Sequence, residues 1–121
     1  SDGFAYLPVS FDQTSALLSI SNSSEGTWQL SGQMTDFLQD QQQLAEEVQF
    51  VIYDPLDDHL VATVTKEETI LFQQLPDGEA DLTLALNEYN CYLRFVPDFD
   101  LIQPGTYTGT VNWQLESMIV D

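Results

Sequence analysis

Apolar and polar residues alternate with a period of two along most of the chain, the pattern of strands that bury one face. Phe4, Tyr6 and the stretch 9–11 open the series, with Pro8 inside it marking a sheet edge or a bulge. A strand over 16–20 follows, and the cluster Ser21-Asn22-Ser23-Ser24-Glu25-Gly26 closes it as a turn. Trp28, Leu30, Gly32 and Met34 alternate next, then Val48, Phe50 and Ile52, ending at the turn Asp54-Pro55-Leu56-Asp57-Asp58. Leu60, Ala62 and Val64 form one face of a further strand, and 69–75 another, closed by Pro76-Asp77-Gly78. Leu82, Leu84 and Leu86 lead within three residues into the strand 89–96, a spacing that predicts a hairpin between the two. Finally Tyr107, Gly109, Val111, Trp113 and Leu115 share a face opposite Thr106, Thr108, Thr110, Asn112 and Gln114.

About nine strands at this spacing predict an all-β fold, an antiparallel β-sandwich of immunoglobulin-like or jelly-roll-like form with at most one short helix. The stretch 37–47, rich in glutamine, breaks the alternation and reads as a long polar connection with room for one helical turn. At 121 residues the chain is expected to form a single domain spanning 1–121.

Charge narrows the partners. Twenty acidic residues against Lys66 and Arg94 give a net charge of −18. Phosphate backbones are bound by clusters of Lys and Arg, so a nucleic-acid partner is excluded, and docking on anionic lipid is equally disfavoured. With 43 % hydrophobic and 12 % aromatic residues the chain has the means to fold despite this charge. The acids are spread over turns, where they act as a solubilising surface or select a cationic partner. Cys91 is the sole cysteine and lies in the alternating run Tyr89, Cys91, Leu93, Phe95, where a small buried apolar role is expected. No apolar run of about 18 residues exists to span a membrane as a helix. Ser1-Asp2-Gly3 reads as a mature or cloned start, which leaves secretion open.

Two tripeptides, Trp28-Gln29-Leu30 and Trp113-Gln114-Leu115, repeat one spacing. The second ends the run Tyr107-Thr108-Gly109-Thr110-Val111-Asn112-Trp113-Gln114-Leu115, approached by Ile102-Gln103-Pro104-Gly105-Thr106. This resembles the distal signature of the WxL domain of Gram-positive surface proteins, with Trp28-Gln29-Leu30 as the proximal motif. Asn112 stands where that signature has Thr, and no Pro follows Leu115 closely. The resemblance implies a secreted domain held non-covalently at the bacterial cell surface on peptidoglycan. It further implies a partner surface protein encoded in a neighbouring gene, and assemblies tied to a host matrix protein or a plant polysaccharide. By the same resemblance the binding residues are Trp28, Leu30, Tyr107, Val111, Trp113 and Leu115.

The residues themselves suggest binding rather than catalysis, with no cofactor. A cysteine nucleophile needs an activating base, and His59 is the one histidine. Glycoside hydrolysis needs two carboxylates at a set separation, and no spacing among twenty acids selects a pair. Asp54, Asp57, Asp58 and His59 lack the order of an EF-hand loop and read as a solvated turn. Trp113 is expected in the core, Tyr107 at a packing corner, and Trp28 either in the core or at a contact surface. Alternatives from other classes are a structural subunit of a pilin-like or coat-like polymer, and a carbohydrate-binding module of a hydrolase.

Overall fold

The computed structural model describes residues 3–11, 17–21, 27–74, 81–98, 100 and 102–118. Eleven strands run through them: β1 (Ala5–Pro8), β2 (Leu17–Ser21), β3 (Thr27–Met34), β4 (Leu38–Gln39), β5 (Gln42–Gln43), β6 (Val48–Tyr53), β7 (Leu60–Val64), β8 (Thr69–Gln74), β9 (Asp81–Ala85), β10 (Asn90–Phe95) and β11 (Val111–Met118). Every pairing is antiparallel, and the only helical element described is a 3-10 turn at Leu86–Glu88. The all-β expectation holds. The turns expected at 22–26 and at Pro76-Asp77-Gly78 lie outside the described residues.

Four sheets result, with strand orders β1-β10-β6-β7, β11-β3-β8, β2-β9 and β4-β5. The alternation explains the first. Cys91, Leu93 and Phe95 on β10 pair with Ile52, Phe50 and Val48 on β6, and all six are buried. Ala62 and Val64 of β7 extend the same face. Val51, on the other face of β6, is fully buried too, as an interior strand with an almost continuous apolar run allows. Pro8 sits on β1 at the sheet edge, where its missing N–H costs no ladder bond. Met34, Phe37, Leu44 and Leu86 join the same buried cluster, and Leu71, Tyr107, Val111 and Trp113 pack against it. The four-stranded and three-stranded sheets therefore share one core.

Two expectations are corrected. Strands β9 and β10 do not form a hairpin: β9 pairs with β2, while β10 lies between β1 and β6. The chain instead makes a 3-10 turn that buries Leu86 and passes to another sheet. The stretch 37–47 holds no helical turn. It forms the β4–β5 hairpin, with Asp40 (φ 49°) and Gln41 (φ 70°) as the two left-handed residues of a type I′ loop. Tertiary bonds hold it there, Leu38 N–H donating to the Thr108 carbonyl (2.9 Å) and Thr108 N–H to the Leu38 carbonyl (3.0 Å), while Leu44 N–H closes the hairpin on the Phe37 carbonyl (3.1 Å). Among the described residues no helix is long and apolar enough to cross a membrane.

Candidate functional site

The two Trp-x-Leu tripeptides, 85 positions apart by number, meet on neighbouring strands. β3 and β11 pair over their whole length, with Leu30 opposite Leu115, Trp113 opposite Gly32, Trp28 opposite Ser117 and Met34 opposite Val111. The register is nearly symmetric about the two leucines, with one tryptophan position on either side. Leu30 and Met34 are buried, and Val111 and Trp113 are half-buried against the core cluster. The core expectation for Trp113 holds for its contacts but not for its full burial. Gly32 makes room for the Leu71 tip: a Cβ there would stand 2.9 Å from Leu71 Cδ1 and in ordinary contact, 3.5 Å, with Trp113 Cε3. β11 is an edge strand of its sheet among the described residues.

The other face of this strand pair is a polar ladder. Gln29 Nε2 donates to Glu116 Oε2 (3.3 Å) and Gln114 Nε2 to Glu116 Oε1 (3.2 Å). Ser31, buried at a bulge opposite β8, donates its hydroxyl to Glu68 Oε1 (2.9 Å). Tyr107 ties the approach to β11: its hydroxyl donates to the Gln103 carbonyl and accepts from the Gln103 N–H, both at 3.1 Å. A tyrosine bonding back to backbone a few residues upstream is the corner device of β-sandwich domains.

The groups with potential reactivity are occupied structurally. Burial pushes the Cys91 thiol up to about 11, which keeps it protonated near neutrality, and Sγ lies 3.7 Å from the Leu86 carbonyl. Asp54, Asp57 and His59 bring ligand atoms within 4.8 Å of one another. The turn itself uses them: Asp54 Oδ1 accepts from Leu56 N–H (2.8 Å), and Asp57 Oδ1 from His59 N–H (3.1 Å) and from the His59 ring at 2.5 Å. That ring contact holds the exposed Asp57 carboxyl below its ordinary range and raises His59 above its own. Asp58, with φ 59°, completes the turn, as expected of a solvated loop.

A second concave region escaped the reading of the sequence. A groove of about 760 Å³ opens where the ends of β6 and β10 meet the arm after β5, and is lined by Phe4, Leu44, Glu46, Glu47, Gln49, Arg94, Val96 and Asp98 among others. Arg94 Nε donates to Gln49 Oε1 (2.8 Å), its Nη2 to the same oxygen, and Cζ stands 5.2 Å over the Phe4 ring. The outward position of Gln49 and Arg94 in their alternating runs is a legible signal, but their opposition depends on a register that neither run contains.

No protein-family model, curated protein or solved structure matches this chain.

Proposed function

We propose that this chain is a non-catalytic binding module of the WxL kind, with its sheets arranged as a sandwich. It is held non-covalently at a Gram-positive cell surface on peptidoglycan and on a partner surface protein. One observation supports this reading above the others: the Trp28-Gln29-Leu30 and Trp113-Gln114-Leu115 motifs pair on adjacent strands with their leucines opposed. Motifs that meet in register from opposite ends of a chain form one structural unit, as two halves of a single site require. A half-buried indole on an edge strand also suits binding, since it gives contact area and an N–H donor together. The edge itself can receive a partner strand through main-chain bonds.

Retention on purified Gram-positive sacculi tests the proposal. The folded chain is expected to sediment with them and to be released by excess soluble wall fragments. Trp113→Gln, checked by urea unfolding to be folded, is expected to weaken retention. A chain that stays in the supernatant under all salt conditions sinks the reading.

A further inference from the structure

From the groove beside Arg94 we infer a binding site for a neutral oligosaccharide, separate from the Trp-x-Leu strand pair; this rests on the reading of the chain as a binding module. At about 760 Å³ the groove falls within the range of ligand pockets, roughly 300–1,000 Å³. Its lining carries both signs and both hydrogen-bonding senses. Glu46, Glu47 and Asp98 are exposed acceptors, and Gln43 and Gln49 add amides. Arg94 is the one cation in the lining, and it is fixed: Gln49 Oε1 takes Nε and Nη2, and the Phe4 ring lies beneath Cζ. A guanidinium has about five N–H donors, so this clamp orients the fork while keeping donors for a ligand. Phe4 (40 % exposed) and Val96 (66 % exposed) supply apolar surface in the same concavity.

That mixture selects by charge. A cationic ligand drawn by the three carboxylates meets the immobilised guanidinium in the same groove. An anionic ligand drawn by Arg94 meets the carboxylates. A chain of sugar hydroxyls donates to the carboxylates and the Gln43 amide oxygen, accepts from the guanidinium, and lays its C–H faces on Phe4 and Val96. A neutral polyol therefore meets donors and acceptors alike, where a cation leaves the guanidinium unmet and an anion leaves three carboxylates unmet.

Two-dimensional NMR on the intact chain tests this, with maltotetraose, cellotetraose and chitotetraose added separately, beside a Lys-rich and a Glu-rich peptide. One of the sugars is expected to move the backbone amides of Gln49, Arg94 and Val96 in a saturable way. Val96→Asp and Phe4→Ala are each expected to weaken that binding at least tenfold, and Leu56→Ala, in the exposed turn after β6, to leave it unchanged. Because the mapping is made on the unmodified chain, it stands even where a variant folds poorly. The site is refuted when only a peptide moves those amides, when sugars move amides elsewhere alone, or when nothing moves them. Retention on sacculi with an unresponsive groove refutes this site and leaves the wall reading intact. A sugar-responsive groove in a chain that sacculi do not retain supports the site and removes the wall reading.

Discussion

The β6–β10 pair and the β3–β11 pair both come from alternating sequence, yet they are built differently. Across β6 and β10 every inward position carries an apolar side chain: Val48 with Phe95, Phe50 with Leu93, Ile52 with Cys91, all buried. Across β3 and β11 the series breaks at Gly32 opposite Trp113, where an indole lies over a residue without a side chain and stays half-exposed. Cross-strand pairs stabilise a sheet by filling the space between them. The first pair fills it from both sides. The second leaves the indole to span the gap alone, so part of its surface remains available to a partner. Alternation marks a strand; the sizes of facing residues separate a filled pair from one that leaves an indole half-exposed.

The largest effect expected from this difference falls on the scaffold. Phe50 is 1 % exposed and meets the Phe11 ring edge-to-face at 5.9 Å. Phe50→Ala is expected to cost about 3–5 kcal/mol, much of what a small domain has, read as a fall in the urea midpoint at constant slope. Trp113→Ala removes a larger side chain but only a half-buried one, and about 2 kcal/mol is expected. Equal losses for the two variants would break the comparison and return Trp113 to the core.

These two pairs also show what could be read from the sequence. The strands β3, β6, β7, β10 and β11 follow from period-two runs and β8 from an apolar run closed by a turn, and the Trp-x-Leu repeats marked two strands whose pairing only the structure shows. What escaped depends on partners distant in sequence. The segment 37–47 carries glutamines that favour helix, but Leu38 trades two backbone bonds with Thr108, and tertiary pairing overrides the weak local preference. β9 looks bound for β10, a few residues on, yet the 3-10 turn at Leu86–Glu88 carries the chain to another sheet and β9 pairs with β2, some sixty positions earlier by number. Arg94 and Gln49 are 45 residues apart, and only the β6–β10 register brings them together.

A smaller effect separates two glycines, Gly32 opposite Trp113 and Gly109 beside Phe37. A Cβ on Gly109 would stand 2.9 Å from the Asp36 carbonyl oxygen and 2.8 Å from Phe37 Cδ1, and the Asp36 oxygen is backbone that cannot turn aside as a side chain can. A Cβ on Gly32 meets instead the tip of Leu71 at 2.9 Å, a side chain that can turn. Gly109→Ala is expected to cost about 1–3 kcal/mol. Gly32→Ala is expected to cost less, because the entropy removed from the unfolded chain, about 0.4–1 kcal/mol, offsets part of the crowding. Thermal unfolding of both variants ranks them, and the reverse order would show that Trp113 and Leu71 are locked in place, making the β3–β11 pair as rigid a scaffold as β6–β10.

The smallest expected effect tests how closed the β6–β10 side is, through Cys91. Burial raises its thiol from an ordinary 9.0 to about 11, so the folded chain keeps the proton that the unfolded chain releases above pH 9. The unfolded state then binds fewer protons than the folded one, and unfolding free energy falls as pH rises. Stability from this source is whole below pH 9 and is lost between pH 9 and about 11. Other groups titrate in that range, so the measurement is a difference: urea midpoints of the parent and of Cys91→Ala from pH 8 to pH 11. The parent is expected to lose its midpoint faster than the variant. At pH 8 the same burial should leave the thiol nearly inert to iodoacetamide in the folded chain and reactive in urea, since the thiolate is the nucleophile. Alkylation at equal rates in both states would mean that the β10 face opens readily to solvent, and the contrast between a closed β6–β10 pair and a half-exposed β3–β11 pair would fall with it.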